Sequence, residues 1–291
     1  MHLELVSIPT SSTPLDGLFY SPAPAAEHHA LQTDHERHHT NQTNQAALLF
    51  HGNTMNFYTG SLKFLPPALI SRNISCLAFN RRGHDILAIR NSRAAEGAAF
   101  QSAAQAIDDN AIAADWLRGK GFPSPIVIGH SNGGMLAVKH VATRPETPAL
   151  ILLSAHCGGK NMVPRASAAG LLARERLDEI TAQATTLVAQ GRGKELILLP
   201  GWWYVISAES FLDQLSGLPD ILTLAPSINC PVLYIRGDQE PRDLYPAEDF
   251  AARCAGPCDV EIIGNCDHFY NGVEQRVATL VSTWLKDTLS L

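Results

Sequence analysis

Ser131 stands in the run Gly129-His130-Ser131-Asn132-Gly133, with a further glycine at Gly134. The residues before it, Pro125-Ile126-Val127-Ile128, form an apolar, strand-like run. Those after it, Met135-Leu136-Ala137-Val138-Lys139-His140-Val141-Ala142, read as a helix. The bare G-x-S-x-G pattern recurs by chance in glycine-rich loops; a strand before it and a helix after it give it chemical meaning. A serine held on so sharp a strand-to-helix turn has strained backbone angles, and small residues two before and two after it relieve the crowding. The first amides of the helix then point at whatever sits on the serine oxygen. The sequence nominates Ser131 as a nucleophile.

Such a serine needs a base to take its proton, a carboxylate to orient the base, and N–H donors for the developing oxyanion. For the base, His268 occupies the polar turn Asn265-Cys266-Asp267-His268-Phe269-Tyr270, between the last strand and a final amphipathic helix. His51, His84, His130 and His156 also stand at strand ends and are read as lining the site or bracing its loops. For the carboxylate, Gly237-Asp238-Gln239-Glu240-Pro241 offers two acids. Asp238 is nearer the strand end with a shorter reach; Glu240 is farther along with a longer one, and the loser is expected to hydrogen-bond the turn. Asp267, adjacent to His268, is expected to point away from it. For the oxyanion, one donor is the backbone N–H of Asn132. The second comes from the loop after His51-Gly52, the N–H of Asn53 or, alternatively, of Thr54. Both are main-chain groups, so the side chain of Asn53 is replaceable.

The elements that must hold these residues follow from the apolar runs. Residues 3–9 and 15–20 alternate loosely and read as an antiparallel pair. Residues 46–50, 75–80, 125–128, 149–154, 230–237 and 258–263 are short apolar strands. Helical stretches lie at 60–71, where Pro66-Pro67 is expected to bend or interrupt the helix, and at 102–119 and 273–289. Strands alternating with helices imply a mostly parallel sheet covered on both faces. The rhythm breaks between the strand ending at Ser154 and the one beginning at Cys230. That stretch shows helical pieces at 167–189 and 208–215 and no sheet-like run. A structureless loop of that length is improbable, so it reads as a helical insertion over the sheet edge. A histidine-rich polar segment containing His28, His29, His35, His38 and His39 lacks hydrophobic periodicity and reads as a surface loop.

Composition narrows the function classes. The chain has 291 residues, 45% hydrophobic and 17% charged, enough for a sizeable buried core. Its formal net charge of −6 disfavours nucleic acid or an anionic membrane as partner. The sequence shows no signal-peptide pattern at Met1-His2-Leu3-Glu4-Leu5 and no apolar run long enough to span a bilayer, so a cytoplasmic protein is expected. The six cysteines are dispersed and read as reduced, mostly packing thiols; Cys254, Cys258 and Cys266 fit no zinc-ligand spacing. No metal or cofactor is expected, since no dinucleotide fingerprint or clustered ligand set accompanies the serine.

With these residues placed, the chain resembles the α/β-hydrolase superfamily over nearly its whole length. The resemblance rests on His51-Gly52 after an early strand, Arg82-Gly83-His84 in the next turn, the Ser131 turn, and the order serine, acid, histidine. It implies a core of residues 1–156 and 228–291 carrying a helical cap at 157–227. It favours Glu240, three residues after Gly237, as the acid. It also implies hydrolysis of a carboxylic ester or lactone of a small to medium, partly apolar molecule, by a monomer or homodimer. Amide or carbon–carbon bond cleavage on the same residues, and a non-catalytic small-molecule receptor, are the alternatives. Trp202, Trp203 and Tyr204 are candidates for an aromatic substrate wall, or for side chains that only fasten the cap to the sheet. Asn56-Phe57-Tyr58, Asn80-Arg81-Arg82-Gly83-His84-Asp85 and Asp267-His268-Phe269-Tyr270 further resemble a branch that includes siderophore-ester hydrolases. One departure stands out. Asp85 replaces a second glycine usual after the Arg-Gly-His turn, as a charge that repels anionic substrates or as a helix cap.

Overall fold

The computed structural model describes residues 1–23, 45–89, 93–202 and 204–290. The histidine-rich segment and Trp203 lie outside these residues. The chain opens with the expected antiparallel pair, β1 (His2–Ile8) and β2 (Leu15–Ser21). Strands and helices then alternate: β3 (Gln45–Phe50), α1 (Ser61–Ile70), β4 (Ile74–Phe79), α2 (Ala103–Gly119), β5 (Ile126–His130), α3 (Asn132–Val141) and β6 (Leu150–Leu153). After an insertion containing α4 (Met162–Ala168), α5 (Leu177–Ala189), β7 (Leu196–Leu199), β8 (Tyr204–Ser207), α6 (Ala208–Ser216) and α7 (Ile221–Leu224), the alternation resumes. It ends with β9 (Val232–Gly237), α8 (Ala247–Ala251), β10 (Cys258–Ile263) and α9 (Glu274–Leu289).

Among the described residues the main sheet has 8 strands in the order β1-β2-β4-β3-β5-β6-β9-β10. Only β2 runs against its neighbours; every pair from β4 to β10 is parallel. The central strands β4, β5, β6 and β9 are buried along their whole length. That is why they read as continuous apolar runs rather than alternating ones: helices cover both faces. One face carries Leu48, Phe50, Val127, Leu136 and Leu152, and the other Leu49, Ile128, Ile151, Leu65 and Val281. Pro66 and Pro67 lie inside α1 without interrupting it, because Leu65 and Leu69 on either side are fully buried and hold the helix to the sheet. All six cysteines are free thiols. No described helix is long and apolar enough to cross a membrane.

The insertion departs from expectation in two ways. The helical stretch at 167–189 is broken: α4 ends at Ala168, Gly170 adopts a left-handed φ of 72°, and α5 begins at Leu177. And the insertion does contain strands, for β7 and β8 pair into an antiparallel hairpin with Leu199 opposite Tyr204. Leu196 and Leu198 face solvent while Ile197 and Leu199 turn inward. The inward residues join Leu172, Ile180, Ile206 and Phe211 in a third apolar cluster, together with Leu244 and Tyr245 from beyond β9.

Candidate active site

β5 ends at His130 and α3 begins at Asn132, which leaves Ser131 alone on the turn with φ 56° and ψ −119°. A non-glycine residue there is strained. It is fixed from both sides: its N–H donates to the Leu153 carbonyl at 2.8 Å, and its carbonyl accepts from the N–H groups of Gly134 and Met135. The flanking glycines are needed for closeness. A Cβ on Gly129 would stand 2.3 Å from the Gly133 carbonyl oxygen, and one on Gly133 only 2.2 Å from that of Phe50.

His268 and Glu240 complete the arrangement. The His268 Nε2 lies 3.0 Å from Ser131 Oγ, and its Nδ1 lies 2.6 Å from Glu240 Oε1. The second carboxylate oxygen, Oε2, accepts from the Gly237 N–H at 2.8 Å and from Ser154 Oγ at 2.7 Å. Ser154 Oγ in turn meets the Tyr270 hydroxyl at 2.7 Å, which also reaches the Ile235 carbonyl at 3.1 Å. Both oxygens of the buried Glu240 carboxylate thus have hydrogen-bond partners, which offsets the cost of burying it. With its Nδ1–H held by Glu240, His268 presents an unprotonated Nε2 to the serine hydroxyl.

Of the two competing acids, Asp238 is excluded by position. It is exposed, and its Oδ1 accepts from the Cys266 N–H at 3.1 Å. Backbone donors at Asn265 and Cys266 hold its carboxyl below the usual range. It supports the turn that carries His268. Asp267 closes its own turn, accepting from the N–H groups of Phe269 and Asn271.

The other strand-end histidines brace the site. His130 donates from Nε2 to the carbonyl of His268 at 2.9 Å, fixing the backbone from which the base projects. Burial, reinforced by the neighbouring His268, pushes His130 down to about 3. His156, which accepts from the Gly158 N–H, is likewise pushed down to about 3, by burial and then His268. Both imidazoles therefore stay neutral and place no second positive charge beside the base. His51 is fully buried; its Nδ1 donates to the Gly52 carbonyl at 2.8 Å and its Nε2 accepts from the Arg81 N–H at 3.2 Å. The Arg81 guanidinium donates to the His51 carbonyl at 2.7 Å. These contacts set the backbone leading to Asn53. The Asp85 carboxylate takes His84 Nδ1 at 2.8 Å and Asn56 Nδ2 at 2.9 Å, and among the described residues its side chain bonds no helix terminus.

The family profile described as "Alpha/beta hydrolase family" matches residues 47–280. The chain belongs to the alpha/beta hydrolase family. Among solved structures, Est1E from Butyrivibrio proteoclasticus aligns over 99% of both chains with 15% identity and a TM-score of 0.68. The hydrolase GrgF from Penicillium sp. sh18 aligns over 100% of both chains with 15% identity and a TM-score of 0.69. A soluble variant of monoglyceride lipase from Saccharomyces cerevisiae aligns over 98% of this chain and 96% of its own, with 12% identity and a TM-score of 0.66. A search of curated protein sequences gives no match.

In this alpha/beta hydrolase, Ser131 and His268 open onto a cavity of about 570 Å³ between the sheet and the insertion. Asn53 and Thr54 line it on one side, where the expected oxyanion amide of Asn53 would serve. Asn132, whose N–H is the first of α3 and so lacks an intrahelical acceptor, borders a separate cavity of about 20 Å³ that it shares with Asn53 and Gln214. Met55, Ile86, Leu171, Trp202, Tyr245 and Phe269 supply the large apolar and aromatic side chains of the remaining wall, beside Tyr204. Trp202 and Tyr204 both face this cavity, whereas Trp203 falls outside the described residues. None of the described residues lining the cavity is a lysine or arginine, and two, Glu240 and Asp267, are acids. Sequence reasoning missed Ser154 and Tyr270. Ser154 directly follows β6 and so occupied a strand end, which was the available signal.

Proposed function

We propose that the protein is a serine hydrolase that cleaves carboxylic esters or lactones of small to medium, partly apolar and uncharged molecules through an acyl-enzyme. The observation that carries this reading is the unbroken chain Glu240–His268–Ser131, with spacings of 2.6 and 3.0 Å, opening onto the 570 Å³ cavity. Ser131 Oγ attacks the carbonyl carbon as its proton passes to His268 Nε2. The N–H groups of Asn132 and Asn53 receive the negative charge on the carbonyl oxygen. As the tetrahedral intermediate collapses, His268 returns the proton to the leaving alcohol. Water, deprotonated by His268, then releases the acid and restores Ser131.

The cavity supports the substrate class. Its walls are apolar and aromatic, which suits burial of most of a ligand's surface. Among the described residues its lining has no lysine or arginine to meet a bound carboxylate or phosphate, and it includes Asp267. Est1E has been solved with ferulic acid bound, and an aromatic acyl group of that kind, its carboxyl esterified and uncharged, suits the Trp202, Tyr245 and Phe269 wall. The motifs shared with siderophore-ester hydrolases speak to scaffold more than substrate. Asn80 Oδ1 accepts from the Phe57 N–H, Asn56 bonds Asp85, and Asp267 closes its own turn.

The test is labelling with a fluorophosphonate alongside hydrolysis of p-nitrophenyl butyrate and of its anionic counterpart, p-nitrophenyl hemiglutarate. Wild type labels and Ser131→Ala does not, and the neutral ester has at least a 10-fold higher kcat/KM. A wild-type protein that neither labels nor turns over either ester overturns the reaction. Equal rates on both esters overturn the assignment to uncharged substrates.

A further inference from the structure

Tyr204, the first residue of β8, carries a polar group of the insertion in the wall of the site. Tyr204 is 4% exposed, and it borders the same cavity as Ser131 and Asn53. Its hydroxyl oxygen is buried without a hydrogen-bond partner. It faces the side chains of Asn53 and Gln214, neither of which completes a bond to it. A buried hydroxyl left unpaired is costly, and an exception of this kind needs a reason. A phenylalanine would fill the same apolar space without that cost.

The surroundings hold this phenol in place. Leu199 pairs with Tyr204 across the hairpin, whose other residues Ile197 and Ile206 are buried in the third cluster. The next element, α6, is tied to the core where Asp213 Oδ2 accepts from the Ala103 N–H at 2.6 Å, and Gln214 follows directly. The hydroxyl is thus held beside Asn53, the residue whose amide is the expected oxyanion donor. Burial pushes the phenol up to about 12, so it carries its proton throughout the working range. It is a protonated donor held without a partner in hydrogen-bond geometry.

We propose that the Tyr204 hydroxyl is a substrate-facing donor, supplied by the insertion, that hydrogen-bonds the ester's carbonyl oxygen as it gains negative charge. This rests on the serine-hydrolase reading and adds to it a side-chain member of the oxyanion site. The placement gives the insertion a part in the chemistry as well as in enclosing the substrate. Main-chain amides cannot be removed by substitution; this donor can.

The experiment is Tyr204→Phe, which deletes one oxygen. Steady-state hydrolysis of p-nitrophenyl butyrate, inhibition by 1-butaneboronic acid (a tetrahedral mimic) and thermal melting are measured on wild type and variant. The expected result is a kcat lower by about 10²-fold, KM within about 2-fold, boronate inhibition weakened in step with kcat, and a Tm no lower than wild type. A kcat and boronate affinity within 2-fold of wild type overturns the proposal. So does a Tm drop with unchanged kcat, which would make the hydroxyl a structural partner of Asn53 or Gln214. Because wild-type turnover and its loss in Ser131→Ala are measured beside it, failure of the hydrolase reading shows separately, as absence of turnover in wild type.

Discussion

Glu240 and Asp238 stand two positions apart on one turn and end in opposite situations. Asp238 is exposed and bonded to the backbone of the neighbouring turn, whereas Glu240 is 7% exposed and divides its oxygens between His268 and the donors Gly237 and Ser154. Only the second can hold an imidazole and stabilise it when protonated. Glu240→Gln keeps the shape and removes the charge, and is expected to lower kcat by about 10³ to 10⁴-fold. Asp238→Asn should leave kcat within about 3-fold. Comparable losses in the two variants would overturn the assignment. The sequence could bring the choice down to these two acids because both follow a strand end. It could not finish it, since the decision depends on how residues 237–240 curl back, with the Glu240 N–H reaching the Gly237 carbonyl at 3.4 Å. Ser154 and Tyr270 were out of reach for the same reason. They lie 86 and 30 positions from Glu240 along the chain, and only the fold brings the three together.

At the scale of elements, the nucleophile depends on how closely α3 approaches β3. The Gly133 Cα sits against the carbonyls of Phe50 and His51, where an added methyl would meet oxygen at 2.2 and 2.5 Å. Those carbonyls lead directly into Gly52 and Asn53, so a shift there moves the expected oxyanion loop as well as the helix. Gly133→Ala should therefore cost about 1 to 3 kcal/mol in urea unfolding and, in the fraction that folds, lower kcat by at least 10-fold. Full activity with wild-type stability would mean that the helix is free to retreat. The central strands and the covering helices were legible because burial on both faces leaves an unambiguous apolar signature. The hairpin of the insertion was not, although Leu196-Ile197-Leu198-Leu199 is as apolar as any core strand. Its strands pair only with each other, and Leu196 and Leu198, 43% and 51% exposed, break the link between apolar and buried. The signal was an apolar run on each side of Pro200-Gly201, a turn-forming pair.

Over the whole molecule, four buried histidines tie stability to pH. His130, His140 and His156 are each pushed down to about 3, chiefly by burial, and His51 is held well below its ordinary value for the same reason. All four are at most 6% exposed. In the unfolded chain each titrates near its ordinary value of about 6.5. Between about pH 6.5 and pH 3 the unfolded state therefore binds more protons than the folded one, so stability rises with pH across that window. It is fully present above about pH 7 and is lost as pH falls. For one such group the loss from pH 8 to pH 5.5 is about 1.4 kcal/mol, and for four about 6 kcal/mol, comparable with the whole stability of an ordinary domain. Urea unfolding at the two pH values should show a drop of that order, with acid unfolding complete by about pH 4.5 to 5. His140, edge-on to Phe50 at 5.4 Å, touches none of the triad. His140→Gln should shrink the drop by about 1.4 kcal/mol without altering the pH dependence of turnover in the folded range. Equal stability at pH 8 and 5.5 would show that these imidazoles are not held neutral.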